Sequence, residues 1–201
     1  MKNSVKHIGV NGFVWHGDDM IEPEVGSAID PVIIAAYRES EYRVFAKYDG
    51  ANARNTSNAR NTNNARDASD ANNANLCGQQ PFVLRIGQPS AALQTLHQQA
   101  GLDSSVFMTA CNPFSQIIDE QDNAVRMQAL KDELAQIESN RGGLSVFPGM
   151  GKHPVNDWPG ETSVLALGLD LDCAVALGQH LEQNAIVWCD TRAMPVLVLL
   201  R

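Results

Sequence analysis

The chain has 201 residues and a formal net charge of −8, which is enough length for one domain with a substantial core. An acidic surface repels phosphate backbones and no Lys/Arg run offsets it, so nucleic acid is an unlikely partner. No run approaches the roughly 20 apolar residues of a membrane span, and "MKNSVKHIGVNGFVWHGDD" has no uninterrupted apolar segment of the signal-peptide kind.

Four widely spaced cysteines, Cys77, Cys111, Cys173 and Cys189, form no Cys-x-x-Cys pair. Three lie in apolar stretches, where a thiol packs as a small hydrophobe, so a reduced cytoplasmic protein is expected.

Residues 1–27 are mixed in character and are expected to form a weakly ordered arm, docking through Phe13 and Trp15. The remainder, 28–201, reads as one domain. Asp30 caps and Pro31 opens a short helix ending near Glu39. "EYRVFAKY" follows as a strand, with Tyr42 and Val44 on one face.

In "ARNTSN", "ARNTNN", "ARDASD" and "ANNA", Ala recurs at 53, 59, 65 and 71. A period of six is also that of hexapeptide β-helices, but those need a large aliphatic residue in each turn. The segment cannot offset its ordering entropy by burial, so a disordered insertion is expected at about 50–79.

After it the pattern is regular. "PFVLRIG" reads as a strand, "PSAALQTLHQQAG" as a helix stopped by Gly101, and "SVFMTAC" as a strand. Residues 119–143 read as a long helix with Leu130, Leu134 and Ile137 inward and Gly142 and Gly143 at its end. "GLSVF" begins as strand and passes into a Gly- and Pro-rich loop. "TSVLALGLD" is a strand and "LDCAVALGQHLEQ" a helix. "AIVWCD" and "PVLVLLR" close the chain as a hairpin around 191–194. The expected fold is α+β (or α/β): a mixed sheet of about six strands with three to four helices and a C-terminal hairpin.

The chemistry is expected where strands run out. In "VFMTACNPFS" the core residues give way to Thr109, Asn112 and Ser115, and ligands of α/β sheets sit beyond strand carboxyl ends. Pro113 should push Asn112 towards extended backbone. The structural alternative for Asn112 is an Asx turn. Arg85 interrupts an apolar strand, where a guanidinium is either at a wet edge or paired, and a buried one needs a partner. Glu161 is the expected one, making Arg85 either an anion-binding group or half of an ion pair.

"GMGKHPVNDWPGETS" is not a P-loop, since it lacks the glycine spacing and the Ser/Thr after Lys. His153, Asp157 and Glu161 would suit a metal on a helix, but Pro154, Pro159 and Gly160 forbid that helix, so no metal is expected. Glu161-Thr162-Ser163 also departs from the Glu-x-Lys a nuclease would want. Trp158 is the better candidate for a ligand-facing aromatic, with Trp188 in the core. Asn184 reads as a left-handed helix C-cap. No Gly-x-Ser-x-Gly elbow is present, no His is placed near Cys111, and His97 and His180 read as surface or rim residues.

"AAYRESEYRV", "PFVLRIGQPSAAL", "TACNPFS", "WPGETSVLALGLD" and "QNAIVWCDTRAMPVLVLLR" together resemble the bacterial DUF3293 family, a domain of unknown function. The resemblance covers about residues 30–50 and 80–201, with the insertion between two of its motifs. It implies a bacterial cytosolic protein and supplies no activity, cofactor or catalytic residue.

Two functions follow from the residues. The first is binding of, or action on, a small anionic or nucleotide-like metabolite. Arg85, Thr109, Asn112, Ser115, Trp158, Glu161 and Ser163 would form the site, with Glu161 orienting Arg85 or acting as a base. The alternative is a non-catalytic interaction or regulatory module with no pocket.

Overall fold

The computed structural model describes residues 13–16, 20–23, 26–45 and 80–201. The arm before residue 13 and the Asn-rich insertion lie outside the described residues.

The order is β1 (Phe13–His16), β2 (Met20–Pro23), α1 (Pro31–Glu39), β3 (Glu41–Val44), β4 (Phe82–Leu84), α2 (Ala91–Ala100), β5 (Ser105–Met108), α3 (Glu120–Arg141), β6 (Ser145–Lys152), β7 (Glu161–Leu167), α4 (Leu171–His180), β8 (Ala185–Cys189) and β9 (Val196–Leu199). Among the described residues one sheet holds nine strands in the order β1-β2-β9-β8-β5-β7-β6-β3-β4. Only β2 and β9 run parallel; the other neighbours are antiparallel. The class is mixed α+β, with four α-helices among the described residues, and β8 and β9 form the expected C-terminal hairpin.

The expectation of about six strands falls short. Two of the additional strands come from the amino-terminal residues read as an arm, where β1 and β2 pair with each other and β2 joins the sheet at β9. Their sequence has no clean two-residue alternation. Pairing to an open sheet edge makes them strands, and that edge is a tertiary feature. β6 starts where "GLSVF" is expected to begin a strand and runs on to Lys152, through Pro148, Gly149 and Gly151 that read as loop.

The helix boundaries follow local chemistry. The Asp30 carboxylate accepts from Val32 N–H at 2.8 Å with Pro31 in the first turn. Ser90, Asp119 and Asp170 cap α2, α3 and α4 in the same way. Gly101 ends α2 in left-handed backbone, φ 66°.

Two apolar clusters occupy the two faces of the sheet. Val106, Met108, Val164, Ala166, Ile186 and Val198 pack with Leu130 and Leu134 of α3 and Ala174 and Leu177 of α4. Phe107, Leu165, Leu167, Val187, Leu197 and Leu199 pack with Leu93 and Leu96 of α2 and with Ile33, Ile34 and Tyr37 of α1. Alternation along each strand sends neighbours to opposite faces, so the central strands are apolar throughout because both faces are covered.

Three sequence expectations are corrected here. Arg85 does not meet Glu161: its guanidinium bonds the Glu41 carboxylate, which also takes Arg43 at 2.9 Å, and the Arg85 side chain is 47% exposed. β4 ends at Leu84, and the charge sits at a wet sheet edge, one of the two placements expected for it. His97 is not a rim residue but buried, with Nε2 2.9 Å from Ser105 Oγ, because the α2 face that buries Leu93 and Leu96 also carries position 97. Asn184 is not the left-handed cap; Glu182 takes φ 59°, and Asn184 is drawn inward by side-chain hydrogen bonds.

Candidate functional site

The inner face on the α1 side holds a cross-strand row. Tyr42 of β3 pairs with Gly151 of β6, which pairs with Glu161 of β7. Directly opposed residues share a face. Gly151 contributes no side chain, so a gap opens between Tyr42 and Glu161. A Cβ built at Gly151 would stand 3.8 Å from Ser163 Oγ and 3.9 Å from both the Phe107 and Tyr42 rings. Two residues back, a Cβ at Gly149 would come within 2.6 Å of the Phe107 ring. The bare strand there lets Phe107 lie across β6 and meet Tyr42 edge to face, centroids 5.3 Å apart.

The gap deepens into a cavity of about 190 Å³ roofed by α1 and the 153–160 loop. Thr109, Asn112, Ser115, Trp158, Glu161 and Ser163 all line it. Arg85, whose partner is Glu41, is not among the lining residues.

Glu161 is tied at one oxygen. Its Oε1 accepts from Asn112 Nδ2 at 2.7 Å and from Trp158 Nε1 at 3.2 Å. Among the described residues its Oε2 has no hydrogen-bond partner, and that atom is not sealed from solvent. Burial holds the Glu161 carboxyl above the ordinary carboxylate range, against the opposing pull of the Asn112 and Trp158 bonds.

Asn112 is the joint of the site. Its backbone N–H donates to Asn123 Oδ1 at 2.8 Å, and its Oδ1 accepts from Asn123 Nδ2 at 3.0 Å and Ile118 N–H at 3.3 Å. The expected extended backbone before Pro113 is not adopted: Asn112 sits at φ 48°, ψ 65°, and Phe114 and Ser115 also have positive φ. Three left-handed residues in four are costly for non-glycine side chains. The turn is held from outside, by Asn123 and by Glu182, whose carbonyl accepts from Phe114 N–H at 2.7 Å. This geometry turns Ser115 back to the cavity.

Ser115 Oγ and Tyr37 Oη lie 2.6 Å apart, and Asn184 Nδ2 donates to both, at 2.9 and 3.3 Å. The two hydroxyls carry two protons, and their mutual bond uses one. The second has no acceptor among the described residues, so the pair presents one O–H donor. Burial raises the Tyr37 phenol further above its usual range, which keeps it protonated.

The remaining residues support the walls. Thr109 Oγ1 donates to the Thr162 carbonyl at 2.7 Å and accepts from Cys111 N–H at 3.0 Å. Ser163 Oγ donates to the Glu161 carbonyl at 2.9 Å. His153 Nδ1 accepts from Val155 and Asn156 N–H, at 3.2 and 3.0 Å, so the ring proton sits on Nε2, 3.3 Å from Glu39 of α1. That bond pins the loop carrying Trp158 against α1. Cys111 is buried beside Thr162, and burial raises its thiol, which disfavours the thiolate form that a nucleophile needs.

Tyr37, Tyr42, Phe107, Lys152 and His153 line the cavity and carry no sequence signal of it. Tyr42 reads only as part of one face of a strand. Only the alternating glycines at 149 and 151, on the inner face of a strand, could have marked the space.

Residues 108–186 match the family DUF3293, "Protein of unknown function". No curated protein and no solved structure matches the chain. The DUF3293 segment begins at Met108, at the end of β5, and runs through the 112–115 turn, Trp158, Glu161 and Ser163 to Ile186 in β8. It thus contains most of the polar wall of the cavity, while Tyr37 and Tyr42 come from before it.

Proposed function

We propose that this protein binds a small molecule in the cavity between α1 and the ends of β5, β6 and β7. The carrying observation is that Glu161 lines the cavity, bonded at Oε1 to two neighbours, while its Oε2 has no hydrogen-bond partner among the described residues. Such a carboxylate, in a mostly apolar pocket with a few convergent polar groups, is the usual make-up of a ligand site. The Tyr37–Ser115 pair adds a hydroxyl donor. A ligand complementary to both carries a donor or positive charge for Glu161 and an acceptor for the hydroxyl. The preference for an anionic metabolite rested on Arg85, and with Arg85 bonded to Glu41 it gives way to a neutral or cationic ligand. Glu161, with its proton affinity raised by burial, is also the group able to accept or return a proton if the bound molecule reacts. The interaction-module reading draws no support of this kind.

The test is a thermal-shift screen against neutral, cationic and anionic small molecules, run on the natural protein and on Gly151→Val. A ligand at 100 times its dissociation constant adds about 2.7 kcal/mol. The expected result is a hit that vanishes when the valine side chain fills the cavity. Hits that persist in Gly151→Val, or none in the whole panel, would remove the proposal.

A further inference from the structure

The cavity is unusual in its aromatic content. Four aromatic side chains, Tyr37, Tyr42, Phe107 and Trp158, line it together with one carboxylate, Glu161. They come from α1, β3, β5 and the loop before β7, so no local sequence pattern brings them together. Aromatic faces attract cations through the ring quadrupole, most strongly where water is excluded. A carboxylate at the same wall supplies the counter-charge. Of these rings, Tyr42 and Phe107 are buried, and Trp158 is held by its Nε1–H bond to Glu161 itself.

Resting on the binding reading above, we infer that the ligand is a small organic ammonium whose head is enclosed by Tyr37, Tyr42, Phe107 and Trp158 and neutralised by Glu161. A quaternary or methylated head fits this wall better than a primary amine. The phenol oxygens are already engaged, Tyr37 with Ser115 and Asn184 and Tyr42 with the Tyr37 carbonyl, so the rings offer a cation their faces, and Glu161 Oε2 is a single anionic partner. An oxygen acceptor elsewhere on the same molecule would meet the free hydroxyl of the Tyr37–Ser115 pair, whose oxygens lie 2.6 Å apart. The positive groups nearby do not fill the place. Lys152 is an exposed residue at the rim. The Arg201 guanidinium stacks on Phe114, 4.7 Å from the ring centroid.

Calorimetric titration of the full chain with tetramethylammonium, choline and 3,3-dimethylbutan-1-ol tests this. The last compound is choline with carbon in place of the charged nitrogen. The inference expects choline to bind about tenfold or more tighter than the neutral isostere, and Glu161→Gln to remove most of that preference. Glu161→Gln keeps an oxygen for Asn112 and Trp158, so the fold is retained, and its melting curve verifies this. Equal affinity for choline and the isostere, both lost in Gly151→Val, would overturn the cation inference and leave the cavity reading standing. No binding of either ammonium would also overturn the inference; the wider thermal-shift panel then judges the cavity reading on its own.

Discussion

Asn112 Nδ2 donates to Glu161 Oε1 across 2.7 Å, joining residues 49 apart in sequence. That bond ties the turn after β5 to the first residue of β7, and it engages one carboxylate oxygen while the other has no hydrogen-bond partner among the described residues.

Asn112→Asp puts a second carboxylate against Glu161. Two buried carboxylates in contact cannot both ionise cheaply, and the Asp also loses the donor. The expected cost is about 2 kcal/mol at pH 7. It shrinks on acidification as one carboxyl takes up a proton. Denaturant unfolding at pH 7 and pH 5 measures both values; a cost unchanged between them would show that the two groups do not interact.

Glu161→Gln keeps the oxygen that Asn112 and Trp158 bond and removes the buried charge. Because burial raises the folded-state proton affinity of Glu161, its protonated form favours folding. That contribution is fully present below the unfolded value near 4.5 and is lost as pH rises through the folded value. The variant is therefore expected to be as stable as the natural protein or more so at pH 7. Its advantage should fall away as pH drops towards 4. Melting temperatures of both proteins across that range test the sign, and an advantage that grows on acidification would refute it.

Arg126 and Arg85 should behave differently. Arg126 donates to the Ala110 carbonyl at 2.7 Å and the Leu181 carbonyl at 2.6 Å and pairs with Glu182 at 3.2 Å. It clips the end of β5 to the end of α4 beneath the 112–115 turn. Arg126→Ala strands two carbonyls and is expected to cost about 2–3 kcal/mol. Arg126→Lys should recover little, since an ammonium cannot span three acceptors in a fork. Arg85→Ala removes an exposed pair and should cost under about 1 kcal/mol. Chemical denaturation of the three variants gives the ranking.

Gly178 of α4 lets that helix close on the sheet: a Cβ there would stand 2.7 Å from Leu200 and 2.9 Å from Ile186. Gly178→Ala, although it favours helix locally, is expected to cost about 1–3 kcal/mol by overpacking. Gly26→Ala meets no neighbour within 4 Å but has φ 81°, so its smaller expected cost, about 1 kcal/mol, comes from backbone strain alone. The two melting temperatures separate crowding from strain.

The sequence by itself determined what depends on near neighbours. Asp30, Pro31, Gly101 and Gly142 mark helix ends because capping and left-handed backbone are settled within a turn. The runs at 105–108, 162–167 and 196–199 are strands because only a sheet covered on both faces buries consecutive apolar residues. Thr109, Asn112, Ser115, Trp158, Glu161 and Ser163 stood out because polar groups after an apolar strand need a reason. Tertiary structure decided the rest. Arg85 has Glu41 as its partner because the sheet order sets β4 beside β3, and no local rule states that order. Phe13–His16 and Met20–Pro23 are strands because an edge is there to receive them. Asn112 holds a left-handed backbone before a proline because Asn123 and Glu161, distant in sequence, bond its side chain. The cavity itself is a missing side chain at Gly151 between Tyr42 and Glu161, and an absence acquires a shape only when the neighbouring strands are in register.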